Sequence, residues 1–112
     1  MKTYIGLPDV DDDNVLVLNG DHLAPLSLRL DLANHSPTGF AWGYGGSGPA
    51  QLSLAMLADH FGDDAKALRL YQRFKSAIAR LDMDERFELT SAQIDEIIAG
   101  DLILTALSKG TE

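Results

Sequence analysis

"GFAWGYGGSGPAQL", Gly39 to Leu52, is the stretch on which the reading of this fold turns. Before it the chain shows short apolar runs broken by turn residues, and after it the apolar residues recur at helical spacing. Pro49 suits the first position of a helix, where a missing N–H costs nothing, with Ser47 or Gly48 as the capping residue. The stretch therefore marks a change from strands to helices, and the glycines around Trp42 and Tyr44 pose the question of function.

Upstream, "KTYIG" reads as a strand ended by Gly6 and the Leu7-Pro8 step. The acidic turn "DVDDDN" leads into Val15, Leu16, Val17 and Leu18, and Asn19-Gly20 is a hairpin signal. In "PLSLRLDLANHS", Leu26, Leu28, Leu30 and Leu32 alternate with polar residues, which predicts a third strand with one face on a core.

Downstream, "PAQLSLAMLADHFG" predicts a helix stopped by Gly62, apolar on nearly every side and so central. A second helix opens at Asp63 or Asp64. It places Leu68, Tyr71, Phe74, Ile78 and Leu81 on one face, with Lys66, Arg69, Arg73 and Arg80 as a basic stripe roughly opposite. "FEL" is a short extended piece. Thr90 and Gln93 form a capping box for a third helix that ends at Gly100, and "DLILTAL" reads as either a last strand or a short helix before a frayed tail, "SKGTE". Strands first and helices after predict an α+β fold, a small antiparallel sheet of three to four strands packed on about three helices. A single domain follows, mostly β over 1–32, a Gly-rich loop over 33–48, helical over 49–99, with a terminal element and tail over 100–112.

Composition narrows the function. The 112 residues are 46% hydrophobic and 23% charged, as in ordinary folded domains. Cysteine is absent, which removes disulfides, thiolate nucleophiles and Cys-based zinc sites and fits a cytoplasmic protein. No run is long enough to span a membrane. The net charge of −8 speaks against direct binding of nucleic acid. That charge is uneven: residues 1–63 carry two Lys/Arg against eight Asp, and residues 81–112 two against eight acids, whereas residues 64–80 hold five basic residues against Asp64 alone.

Gly43 to Gly48 satisfies G-x-G-x-x-G, but no buried strand precedes it and the chain has no room for a dinucleotide fold. The phosphate-loop form fails because Pro49-Ala50 stands where Lys-Ser/Thr is required. Ser47 lacks the second glycine of a nucleophile elbow and has no His and acid pair. Asp9, Asp11 and Asp13 have the first spacings of a calcium loop, but Asn14 and Gly20 occupy the positions of its turn glycine and bidentate Glu, so a solvated turn is the reading. His22, His35 and His60 read as structural. No paired acid and base, metal cluster or activated nucleophile is visible, and no enzyme activity, metal or cofactor is expected.

The run Phe40 to Leu52, followed by "LAMLADHFGD", "YQRFK" and "ELTSAQI", resembles a family of small bacterial, archaeal and phage or plasmid proteins catalogued as a domain of unknown function. The resemblance implies a setting among accessory genes of mobile elements, where small acidic proteins act on other proteins. The expectation is a non-enzymatic protein-binding or regulatory domain with a protein partner, a homodimer remaining open. The alternative is a small-molecule, nucleotide or anion binder using the Gly-rich loop. Trp42, Tyr44, Gly45, Ser47 and Gln51 are the candidate ligand or partner residues, and the basic stripe is the other surface singled out.

Overall fold

The computed structural model describes the backbone of residues 1–110 and the side-chain surroundings of residues 1–100. Strand β1 (Lys2–Gly6) is paired antiparallel on both sides, with β2 (Val15–Asn19) and with β4 (Phe87–Thr90), and β3 (His22–Pro25) extends the sheet beyond β2. The order is β3-β2-β1-β4. Helices α1 (Ser47–Phe61) and α2 (Asp64–Ala79) lie between β3 and β4 in the chain, and α3 (Ser91–Gly110) follows β4. The fold is α+β, with an antiparallel sheet built mainly from the N-terminal part and three helices after it.

Strand alternation decides which sheet face joins the core. Tyr4, Val15, Val17 and Phe87 share one face and are buried in the core cluster, whereas Leu16 and Leu18 take the other face and stay partly exposed. Gly6 sits opposite Phe87, and the Phe87 ring lies directly over it where a Cβ would otherwise stand. A glycine here is required by that close approach.

Helix α1 is the middle of the molecule. Every residue from Gly48 to Ala58 is buried, which matches a sequence apolar all round. It packs on α2 and is tied to the sheet at its far end, where Tyr4 Oη donates to Asp59 Oδ2 at 2.6 Å and Lys2 Nζ pairs with the same oxygen at 3.2 Å. Burial first, and the adjacent Asp59 carboxylate second, push the Tyr4 phenol above its ordinary value. A raised folded-state pKa means the contribution of this group is complete below a pKa of about 10 and is lost as pH rises through the folded value. Alkaline titration followed by tyrosinate absorbance should show one phenol ionising only with unfolding, and Tyr4→Phe should remove that late component.

Helix α2 begins where Asp63 accepts a hydrogen bond from the Lys66 amide at 3.1 Å. Asp63→Ala should cost about 1 kcal/mol, read from urea unfolding. Ala67, Tyr71, Phe74 and Ile78 are its buried face. Leu68, expected on that face, is instead 42% exposed, because the buried rows run at 67, 71, 74 and 78 and position 68 is turned further round the axis. Helix α3 starts on the expected capping box, Gln93 N donating to Thr90 Oγ1 at 3.1 Å and Thr90 N to Gln93 Oε1 at 2.9 Å.

Three other expectations are corrected. Residues 26–32 form no strand: β3 ends at Pro25, and the chain then turns, with Arg29 at φ 53° and Leu32 N bonded to Arg29 O. Leu26, Leu28 and Leu32 still point at the core, so the period-2 pattern records burial without strand pairing. Helix α1 is capped by Gly46, which places Pro49 third in the helix. Gly100 does not end α3, which continues to Gly110 and makes "DLILTAL" helical. Residues 111 and 112 of the tail lie outside the described residues.

Candidate functional site

The Gly-rich loop is built from the core outward. Trp42 is buried, its ring meets Phe87 edge-on at 4.8 Å, and its indole N–H is shared between the carbonyls of Asp82 (3.1 Å) and Glu85 (3.2 Å). Its polar atom is thus satisfied by the turn that precedes β4. Gly43 follows with φ 89°, donates to Ile78 O at 3.1 Å, and passes so near the 81–83 backbone that a Cβ would lie 2.5 Å from Met83 N. The tryptophan and this glycine together clamp the loop onto the end of α2.

Tyr44 folds back over the start of α1. A Cβ on Gly46 would be 2.5 Å from the Tyr44 ring, and one on Gly48 would be 2.6 Å from Ala41 Cβ and 3.1 Å from Tyr44 Oη. These two glycines form the seat of an aromatic ring that remains 44% exposed. A Cβ on Gly45 would meet nothing within 4 Å. Ser47 is exposed as the first residue of α1.

Gln51 lies apart from these residues, on the buried interior of α1. Its Oε1 accepts from the amides of His35 (2.7 Å) and Ser36 (3.1 Å), and its Nε2 donates to the carbonyls of Leu28 (2.5 Å) and Ala33 (3.1 Å). All four bonds hold the 28–36 segment on the helix, so the side chain is fully engaged within the protein. Of the five loop candidates, the structure brings Trp42 and Tyr44 to a common hollow and places Gly45, Ser47 and Gln51 elsewhere.

That hollow, of about 220 Å³, is lined by Pro8, Phe40, Trp42, Tyr44, Met83 and Asp84, among others. A second, of about 520 Å³, adjoins it through Asn14 and Phe40 and is lined further by Leu26, Leu28, Pro37, Asp12 and Asp13. Asn14 Nδ2 donates to Phe40 O at 2.9 Å and so fixes the wall the two share. Together they make one open groove of mixed polar and apolar walls at the loop end of the sheet.

Three segments build most of its rim: 7–14, 37–44 and 82–85. They carry Asp9, Asp11, Asp12, Asp13, Asp82, Asp84 and Glu85 and no Lys or Arg. Arg29, next to Leu28 in the chain, is paired with Asp31 and Asp64, and Arg86, next to Glu85, with Glu88. The bonds to Asp31 and Asp64 push the Arg29 guanidinium upward, and Arg29 in turn holds Asp31 below the usual carboxylate range. Asp12, Asp13 and Asp84 line the groove and no Lys or Arg does, so its charged edge is acidic. In the sequence "DVDDDN" reads as a solvated turn; no local signal says that it meets the 82–85 turn beside Tyr44.

The basic stripe lies on α2 and reaches the loop end of that helix at Arg80. Lys66, Arg69 and Arg73 run along α2 off its buried rows, and Arg80 is its C-cap, two residues before the 82–85 segment. Lys66 Nζ stands 4.3 Å over the Phe61 ring. Arg73 and Arg80 border a hollow of about 270 Å³ between α2 and α3, walled by Leu70, Phe74, Ile97 and Ile98, with Glu96 on its edge. Among the described residues no group of three or more His, Asp or Glu is placed to hold a metal ion, and no helix is long and apolar enough to cross a membrane.

Residues 4–100 match a family described only as a family of unknown function, DUF6166. No curated protein matches the chain, and no solved structure does.

Proposed function

We propose, for a chain that belongs to the family of unknown function DUF6166, a non-enzymatic role as a protein-binding or regulatory accessory domain that engages its partner through the groove at the Gly-rich loop. The observation that carries this reading is the groove itself, two adjoining hollows whose walls mix apolar side chains with polar atoms and which Asp12, Asp13 and Asp84 line. Such a surface joins an apolar centre to a charged rim, the anatomy of a recognition patch. The loop signature's resemblance to small phage, plasmid, bacterial and archaeal proteins supports a mobile-element setting and a cytoplasmic site of action, and a genomic position among such genes would strengthen both.

The alternative, an anion or nucleotide held on the loop amides, has less behind it. Tyr44 and Ala41 cover the start of α1. Pro49 stands within its first turn and contributes no N–H there. A phosphate would need those donors open.

The test is carbodiimide cross-linking of the full chain in an extract of its native host, with the linked residues mapped by mass spectrometry. The expected result is a protein joined through the carboxylates of 9–13 and 82–85. A nucleotide or other anionic metabolite that raises the melting temperature, with no protein linked, would replace this reading by the alternative.

A further inference from the structure

Resting on that reading, we infer that the groove takes a basic protein segment, seating a Lys or Arg side chain against Tyr44 beside Asp84 and an apolar neighbour of that residue against Leu26, Leu28 and Phe40. Charge complementarity commits the groove to this occupant. Asp12, Asp13 and Asp84 line it and no cationic residue does, and its three rim segments hold seven carboxylates and no Lys or Arg. An acidic or phosphorylated partner would meet only repulsion there.

The walls select the kind of cation. A hydrated metal ion prefers a cage of oxygens, and no such cage exists among the described residues. A Lys or Arg side chain carries its charge on an apolar stem and is attracted to an aromatic face, which suits a hollow walled by Tyr44, Phe40 and Met83 with Asp84 at its edge. Tyr44 is 44% exposed despite its seat on Gly46 and Gly48, so the glycines hold a ring in place while leaving it accessible. The larger hollow, walled by Leu26, Leu28 and Pro37, gives an adjacent apolar side chain a place to bury.

The experiment uses the full chain and a synthetic peptide of alternating Lys and Leu, titrated by fluorescence of the single tryptophan, Trp42, which lines the hollow. Matched probes are the same peptide with Glu for Lys, and free spermidine. The protein variants are Tyr44→Ala, the groove pair D12N/D84N, and a control pair, D21N/E96Q, that removes equal charge elsewhere. The inference expects the Lys peptide to bind while the Glu peptide does not. It expects Kd to rise by about tenfold or more for Tyr44→Ala and for the groove pair, with the control pair close to wild type. Equal weakening by both pairs would reduce the effect to net charge and overturn it, and spermidine binding as tightly as the peptide would overturn the assignment to a protein segment. Should the peptide fail while a host protein cross-links through the groove carboxylates, the basic-segment inference falls and the protein-binding role stands; should both fail, both fall.

Discussion

Replacing Gln51 with leucine is expected to remove about 3–5 kcal/mol of stability, a large part of what a domain of this size possesses. Leucine fits the space approximately, so the loss is one of hydrogen bonding. The amides of His35 and Ser36 lose their acceptor, and the carbonyls of Leu28 and Ala33 lose their donor. Each such group left unpaired in a buried site costs about 1–3 kcal/mol, reduced where the 28–36 segment shifts to reach water. Urea unfolding measures the loss. Hydrogen exchange should localise it, with the amides of His35 and Ser36 losing protection before those of the sheet. A variant of near wild-type stability would mean that the segment is held by other contacts.

The second large effect is expected at Gly43. Alanine there would adopt φ 89°, which costs an L-residue about 1–2 kcal/mol, and its Cβ would lie 2.5 Å from Met83 N and 2.8 Å from Leu81 O. Both of these are backbone atoms, so relief requires the loop and the 81–83 turn to part, weakening the bond from Gly43 N to Ile78 O. A total near 3 kcal/mol follows. Gly45, two residues on, has open space where a Cβ would stand and no positive φ, and Gly45→Ala should stay within about 0.5 kcal/mol of wild type. Thermal unfolding of the two variants side by side separates a glycine demanded by the fold from one that is tolerated.

The parts of this protein that the sequence discloses are those governed by neighbours along the chain. The Thr90 and Gln93 box, the Asp63 cap, the Gly62 stop and the hairpin at 19–22 each satisfy backbone groups a few residues away, and each is found in the structure. The errors arise where distant residues intervene. Leu26, Leu28 and Leu32 alternate as a strand would, yet the carbonyl of Leu28 is taken by Gln51, and no neighbouring strand competes for it. Gly100 carries a stop signal, but α3 continues through it. The groove was hidden for the same reason: the acidic turn at 9–13, the aromatic loop and the 82–85 turn are far apart in sequence and are joined through contacts such as Asn14 to Phe40 and Trp42 to Asp82.

The position of β1 has a consequence for the nascent chain. Its second partner, β4, lies more than eighty residues downstream, and Lys2 N and O are both bonded to Ser91 Oγ. During synthesis the hairpin of β1, β2 and β3 must therefore wait with one flank open until the ribosome has released residue 90. A waiting strand of this kind invites pairing with another chain, so crowded polysomes are where this protein is most exposed to misassembly.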